Sequence, residues 1–486
     1  MRLFIYLVIL VIFFCSNVIA QPQQYLFSFM GTKDGLEEEF VLGVQQDTKG
    51  YIWIATHNAL QRFDGQRFMN LYHKENDAHS IPGSGIKSIM IDKKNRLWIL
   101  AGPSNLGYLD VDNLKYTPVK VQPAPSIDLD KSASSLYVDK DGNVLLIFPG
   151  KTFMTFNETA GEVAEKYNPF KLPAGWGPLY LWQDQNRNYW VGAENGLLKY
   201  NPVNKKTSYR DHNEDNDPFI KNFQESRTVF NAFVDKTQRM WLLTWHGGRL
   251  SIKSYSAVTG EEEDWANKIS TSLKNIYYEL QGITELKDGS IWMSGFNIFA
   301  KLNRSTESLE PIENDVSEYS IHFDQICNVY EDRENNVWVS TNKGLFRFNP
   351  TAQLFKVINN RLPGRDTIYT PDVNDFLQTP DGEIMVGTWG NGIFSYNNNL
   401  NPVSSKYISR ISPPGEAMVW CMTRKTNGDI WRGVQAGYIF IYKAATGKTI
   451  RLHPPVFENS TIRQIVEDKN GDIWIGSQRG YLVKYG

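Results

Sequence analysis

Few side chains in this sequence are arranged to do chemistry. Two short runs place an indole beside polar groups, Thr244-Trp245-His246-Gly247-Gly248 and Thr388-Trp389-Gly390-Asn391-Gly392. His57-Asn58 forms a smaller polar cluster near the start. An indole beside hydrogen-bonding groups suits a sugar, whose apolar ring face stacks while its hydroxyls bond nearby. Trp245, His246, Trp389, Asn391 and His57 are therefore the candidate ligand contacts. The competing assignment packs both indoles onto adjoining structure and makes His246 a structural hydrogen-bonder.

Other chemistries find less support. The seven His are scattered, with no metal-ligand spacing among His or Cys. Asp139-Lys140-Asp141-Gly142-Asn143 has the look of a calcium loop but lacks the EF-hand glutamate, so a β-turn accounts for it better. No two cysteines are adjacent, which removes the vicinal disulfide common at quinone cofactor sites. No cofactor or metal is expected. The formal net charge of -2 leaves no basic surplus for nucleic acid. A polysaccharide lyase or glycosidase using dispersed carboxylates stays open as an alternative, as does a non-catalytic scaffold.

The elements that position these residues are repeats. Asp47-Thr48-Lys49-Gly50-Tyr51-Ile52-Trp53-Ile54-Ala55-Thr56 returns as Asp468-Lys469-Asn470-Gly471-Asp472-Ile473-Trp474-Ile475-Gly476-Ser477. Trp98, Trp190, Trp241, Trp292, Trp338 and Trp431 hold the same place, and Leu145 and Met385 replace the indole in two more copies. The ten copies are spaced 45, 47, 45, 51, 51, 46, 47, 46 and 43 residues apart. Four strands with their connections need about 40–50 residues, the period of a β-propeller blade.

Each copy explains its own geometry. An Asp six residues before the Trp position can cap the N–H groups of a turn. Gly or Asn three residues before that position permits positive φ. A small residue two after it lets a neighbouring blade approach. The loop after the Trp strand, where Trp245, Trp389 and His57 fall, then joins second to third strand. Propellers bind ligands on the face that carries these loops and the interblade connections.

The reading is all-β: one seven-bladed propeller over residues 21–352, then about three blades of a second, incomplete propeller over 353–486. A single ten-bladed ring is the alternative. Blade ten stops after its third-strand aromatic, Tyr485, which suggests part of a longer protein. Residues 1–20 read as a secretory signal: Arg2, an apolar run Leu3 to Cys15, and a cleavage site at Val18-Ile19-Ala20. Cys327 and Cys421 occupy similar places in non-adjacent blades and read as unpaired apolar thiols. The charged connections Arg210 to Ser226 and Glu261 to Asp264 read as solvated loops.

Thr32-Lys33-Asp34-Gly35-Leu36, Val44-Gln45-Gln46-Asp47, Ile52 to Thr56 and Leu60 to Phe68, with Glu467 to Gly476, resemble the two-component regulator propeller family across the mature chain. That resemblance implies the periplasmic sensor of a hybrid two-component system, with oligosaccharide as ligand and homodimers as the working state. Histidine kinase activity would lie in C-terminal sequence beyond this chain, so the chain itself is expected not to be an enzyme. Membrane attachment would come from that missing sequence or from an uncleaved signal. The sequence departs from the family pattern at Ala59, where Gly is usual, and at Leu145.

Overall fold

The computed structural model describes residues 25–486 except 84, 125–126, 130, 224–226, 247–248, 266–276, 305, 317, 353–356, 359, 361–371, 399 and 409–416. The expected signal lies outside the described residues. The chain divides into two compact units, Pro22–Leu354 and Phe355–Gly486.

The first unit is a ring of seven antiparallel blades. In blade 1 the strands Val41–Gln46, Ile52–Thr56, Leu60–Phe63 and Phe68–Leu71 pair in chain order. Blades 2 to 6 repeat this order, starting at Ile86, Ser135, Pro178, Thr228 and Glu279. Blades 2 and 3 are fused at their outer edges, where Glu162 and Val163 run parallel to Lys120 and Val121. Blade 7 contributes Ile326–Glu331, Val337–Thr341 and Gly344–Phe348 from its own repeat. Its outermost strand is Ser28–Met30, which brings Phe29 opposite Phe346. The N-terminal strand thus closes the ring at seven blades and excludes the ten-bladed alternative. The signal for it was the stretch Phe27-Ser28-Phe29-Met30, which precedes the first repeat.

The repeated turn is held by one carboxylate. In blade 1, Asp47 Oδ1 accepts the backbone N–H of Lys49 and Tyr51, at 2.9 and 3.1 Å. Its Oδ2 accepts the indole Nε1–H of Trp53 at 2.9 Å. The same indole bond recurs at Asp92, Asp184, Asp235, Asp332 and Asp468, between 2.7 and 2.9 Å. The residue three before the Trp position has positive φ in every copy, including Arg187 and Gln238, where Gly and Asn are absent.

Each indole packs on the blade that follows. Trp53 meets Ile86, Ile89 and Ile99, and Trp338 returns to Val41, Val44 and Ile54 of blade 1. In blade 3, Leu145 takes this place against Leu181 and Val191. Gly192 shows why a small residue follows the indole: a methyl group there would stand 2.5 Å from the Val229 carbonyl oxygen of the next blade.

The second unit holds three more blades. Their sheets are Val373–Gln378, Ile384–Thr388 and Ile393–Tyr396; Val419–Arg424, Ile430–Val434, Ile439–Lys443 and Lys448–Leu452; and Ile462–Glu467, Ile473–Ser477 and Leu482–Tyr485. Cys327 is half-buried, Cys421 is buried, and both are free. Burial pushes the two thiols up to about 11 and about 12.

Two stability effects follow. Gln238 is an exposed side chain on a left-handed backbone, which costs an L-residue about 1–2 kcal/mol. Glycine regains part of that but has more unfolded-state entropy to lose, so Gln238→Gly stabilises by about 0.5–1 kcal/mol in urea titration. A destabilised variant would refute the turn argument. Trp53→Phe leaves a cavity and a buried carboxylate oxygen without its donor, and costs about 3 kcal/mol by the same measurement. A loss under about 1 kcal/mol would mean that the indole bond contributes little.

Candidate ligand face

The loops from second to third strand lie on one face of the ring, together with the interblade connections. His57 follows the second strand of blade 1 and is exposed. Its N–H donates to Glu38 at 3.1 Å, and its carbonyl accepts from Gly85 and Ile86 of the next blade. Asn58 donates to the same Glu38 carboxylate. The backbone here serves as a blade-to-blade contact, and the imidazole is left facing outward.

Trp245 sits at the end of strand Arg239–His246, opposite Thr228 and Leu250. The side chain of His246, with Gly247 and Gly248, lies outside the described residues. Trp389 extends the second strand of blade 8 through a bridge to Met418 and donates its N–H to the Asp372 carbonyl at 2.9 Å. Asn391 follows and is half-buried. Trp389 and Asn391 belong to the second unit; His57 and Trp245 belong to the first. No hydrogen bond links any two of these residues among those described.

Exposure separates the two loop indoles from the rest. Trp53, Trp98, Trp190, Trp241, Trp292, Trp338 and Trp431 are at most 2% exposed, whereas Trp245 is 49% and Trp389 39% exposed. They are the only two of the 14 Trp to reach this level.

Tyr277 was missed by sequence reasoning. It stands just before the first strand of blade 6, on the same face, and is 68% exposed. Asn297, in the loop after the second strand of that blade, donates to its carbonyl at 3.1 Å. An aromatic in an interblade connection was the available signal.

The charged connections are not merely solvated. Asp215 and Asp217 each hold the buried Lys199 ammonium at 2.8 Å. Asp217 also accepts the N–H groups of Phe219 and Ile220, capping the short helix Pro218–Asn222. Glu261 and Glu263 lie 3.7 and 3.5 Å from Arg239, and Glu262 pairs with Lys253. A buried lysine on the third strand of blade 4 needs compensation, and these loops supply it.

Burial would raise the Asp215 carboxyl, but bonds from Lys199, Asn201 and Asn204 hold it down at about 2. A carboxyl depressed in the folded state contributes stability above its ordinary value of 3.8, lost as pH falls toward 2. The thermal midpoint therefore drops between about pH 4 and pH 2, and Asp215→Asn flattens that drop. An unchanged slope in the variant would remove Asp215 from the account.

Residues 457–479 match the family model described as two component regulator propeller. Histidine kinase P4 of Formosa agariphila is 31% identical over 77 residues, which is 16% of this chain and 6% of that protein. The extracellular domain of the hybrid two component system BT3049 from B. thetaiotaomicron superimposes on 95% of this chain with a TM-score of 0.67 at 20% identity. That of BT4673 from the same bacterium covers 95% at 16% identity, with a TM-score of 0.48. The chain spans 59% and 58% of those two structures, respectively. Among the described residues no helix is long and apolar enough to cross a membrane. The chain carries the two component regulator propeller repeat, on the fold of an extracellular domain from a hybrid two component system.

Proposed function

We propose that this chain is the ligand-sensing region of a hybrid two-component system, exported to the periplasm, and that its ligand is an oligosaccharide. The observation that carries the ligand class is the exposure of Trp245 and Trp389, one in each unit, at the loop positions where propellers take ligands. An exposed indole offers a flat apolar face to a pyranose ring, and binding recovers the cost of leaving it in water. Tyr277 and His57 add an aromatic face and a polar group on the same side of the first ring. The chain transmits occupancy and does no chemistry on the sugar; kinase activity belongs to sequence outside it. The solved extracellular domain it resembles and the matched repeat support this reading. Each unit bears one such indole, so each is tested by its own substitution.

Calorimetric titration of residues 21–486 with a panel of plant and host-glycan oligosaccharides tests the proposal. One oligosaccharide should give saturable heat, weakened about tenfold or more by Trp245→Ala or Trp389→Ala, since a stacked aromatic contributes about 1–3 kcal/mol. Chromatography of the same mixtures should show the sugar unchanged. Release of shorter or unsaturated products would replace the sensor reading with a lyase or glycosidase. Absence of heat across the panel, in a folded protein, would remove the sugar reading for this chain.

A further inference from the structure

Blades 1, 2, 4, 5, 6 and 7 each break their ladder at one place, the ligand-facing end of the innermost strand. In blade 1, Val41 stands opposite Thr56 and Gly43 opposite Ala55, so Leu42 between them has no partner. The inserted residue is Lys87 in blade 2, Leu179 in blade 4, Phe230 in blade 5, Gln281 in blade 6 and Cys327 in blade 7.

Interblade packing explains the break. The residue before it and the one three further on are both buried with the indole of the preceding blade. Val229 and Ala232 share a cluster with Trp190, and Leu280 and Ile283 share one with Trp241. Side chains of a regular strand alternate, so residues three apart cannot face one side. One extra residue reconciles them, and a bulge re-aims the side chain it inserts.

The contacts show where that side chain goes. Phe230 packs against the cluster that holds Leu280, at the start of the next blade's inner strand. Gln281 accepts a carboxamide N–H of Gln325, one residue before the inner strand of blade 7, at 3.2 Å. The second unit follows the same rule at its own breaks. There Asn374 donates to the Val419 carbonyl at 2.8 Å, and the Arg463 guanidinium lies 3.9 Å over the Trp420 ring. Each inserted residue thus lies at the start of the next inner strand, and the inner strands surround the channel. The bulges line its mouth.

In blades 5 and 6 they adjoin the exposed aromatics. Trp245 stands opposite Thr228, two residues before Phe230. Tyr277 precedes Gln281 by four residues, and its hydroxyl donates to the exposed Glu279. Glu279 makes no ion pair among the described residues. The nearby Lys343 is held by Asp324 at 2.6 Å, and the charged bulge residue of the ring, Lys87, is three blades away from Phe230.

We infer that Phe230, Glu279 and Gln281 form the part of the first-ring site that selects the ligand, and that it selects a neutral oligosaccharide. This rests on the sugar reading above and narrows it. Phe230 adds an apolar wall below Trp245. The Gln281 carboxamide offers a donor and an acceptor, which match neighbouring sugar hydroxyls. Glu279 accepts a hydroxyl and repels a ligand that carries its own carboxylate.

Calorimetric titration of residues 21–486 with neutral β-1,4-linked tetrasaccharides of glucose, galactose, mannose and xylose, and with tetragalacturonate, tests this. One neutral sugar should bind in a manner that needs Trp245. Gln281→Ala should weaken it about three- to tenfold, the loss of a hydrogen bond. Phe230→Leu, which keeps an apolar side chain on blade 6, should weaken it about threefold. Tetragalacturonate should bind at least about tenfold more weakly than the neutral sugar, and Glu279→Gln should narrow that gap about fivefold. Affinity that needs Trp245 yet ignores the Gln281 and Phe230 variants would overturn this assignment and leave the sugar reading standing. Tighter binding of tetragalacturonate, or a gap that Glu279→Gln leaves unchanged, would overturn the neutral class alone. No saturable heat from any of the sugars would remove both the assignment and the reading beneath it.

Discussion

The bond from a buried indole N–H to the turn carboxylate is the interaction on which the ring depends. A large ring between blades supplies most of the apolar contact, and leaving its N–H unsatisfied in that space costs free energy. The turn Asp meets that need with one oxygen and fixes the hairpin with the other. Turn, strand and interblade packing are thereby set by a single side chain. The exceptions in the first ring obey the same constraint, whereas in the second unit Lys425 stands in place of the Asp and the buried Trp431 N–H has no partner among the described residues. In blade 3, where Leu145 has no N–H, Asp139 accepts the hydroxyl of Tyr189 from the next blade instead. In blade 6, Leu286 replaces the Asp, and Ser290 accepts from Trp292 at 2.9 Å.

Most of this was legible in the sequence because it repeats. A turn Asp, a residue tolerant of positive φ and an indole, recurring at blade length, declare hairpins and their buried strand together. The number of blades in the ring was harder. It rests on Ser28–Met30 finding Gly344–Phe348, a pairing between distant segments that no local pattern records. Arg187 and Gln238 hide a left-handed turn because the hairpin capped by the preceding Asp imposes it against their preference. The charged connections misled for a related reason. Lys199 looks like a surface residue until the fold buries it, and only then do Asp215 and Asp217 acquire a task.

The candidate site was legible to a lesser degree. Position in the repeat placed Trp245 and Trp389 in loops, and composition could go no further, since every blade has aromatics. What distinguishes these two is exposure, a property of the folded chain.

The N-terminal strand has a further consequence, in the order of folding. Phe29 is among the first described residues to be synthesised, and its partner Phe346 follows roughly three hundred residues later. Blades 1 to 6 can form their hairpins as they emerge, because those contacts are local. The closing strand must wait, with Phe27 and Phe29 uncovered, until blade 7 exists. Closure of so long a loop is slow, and an open ring offers an unpaired edge on the third strand of blade 7. The nascent chain thus carries its own last piece from the outset.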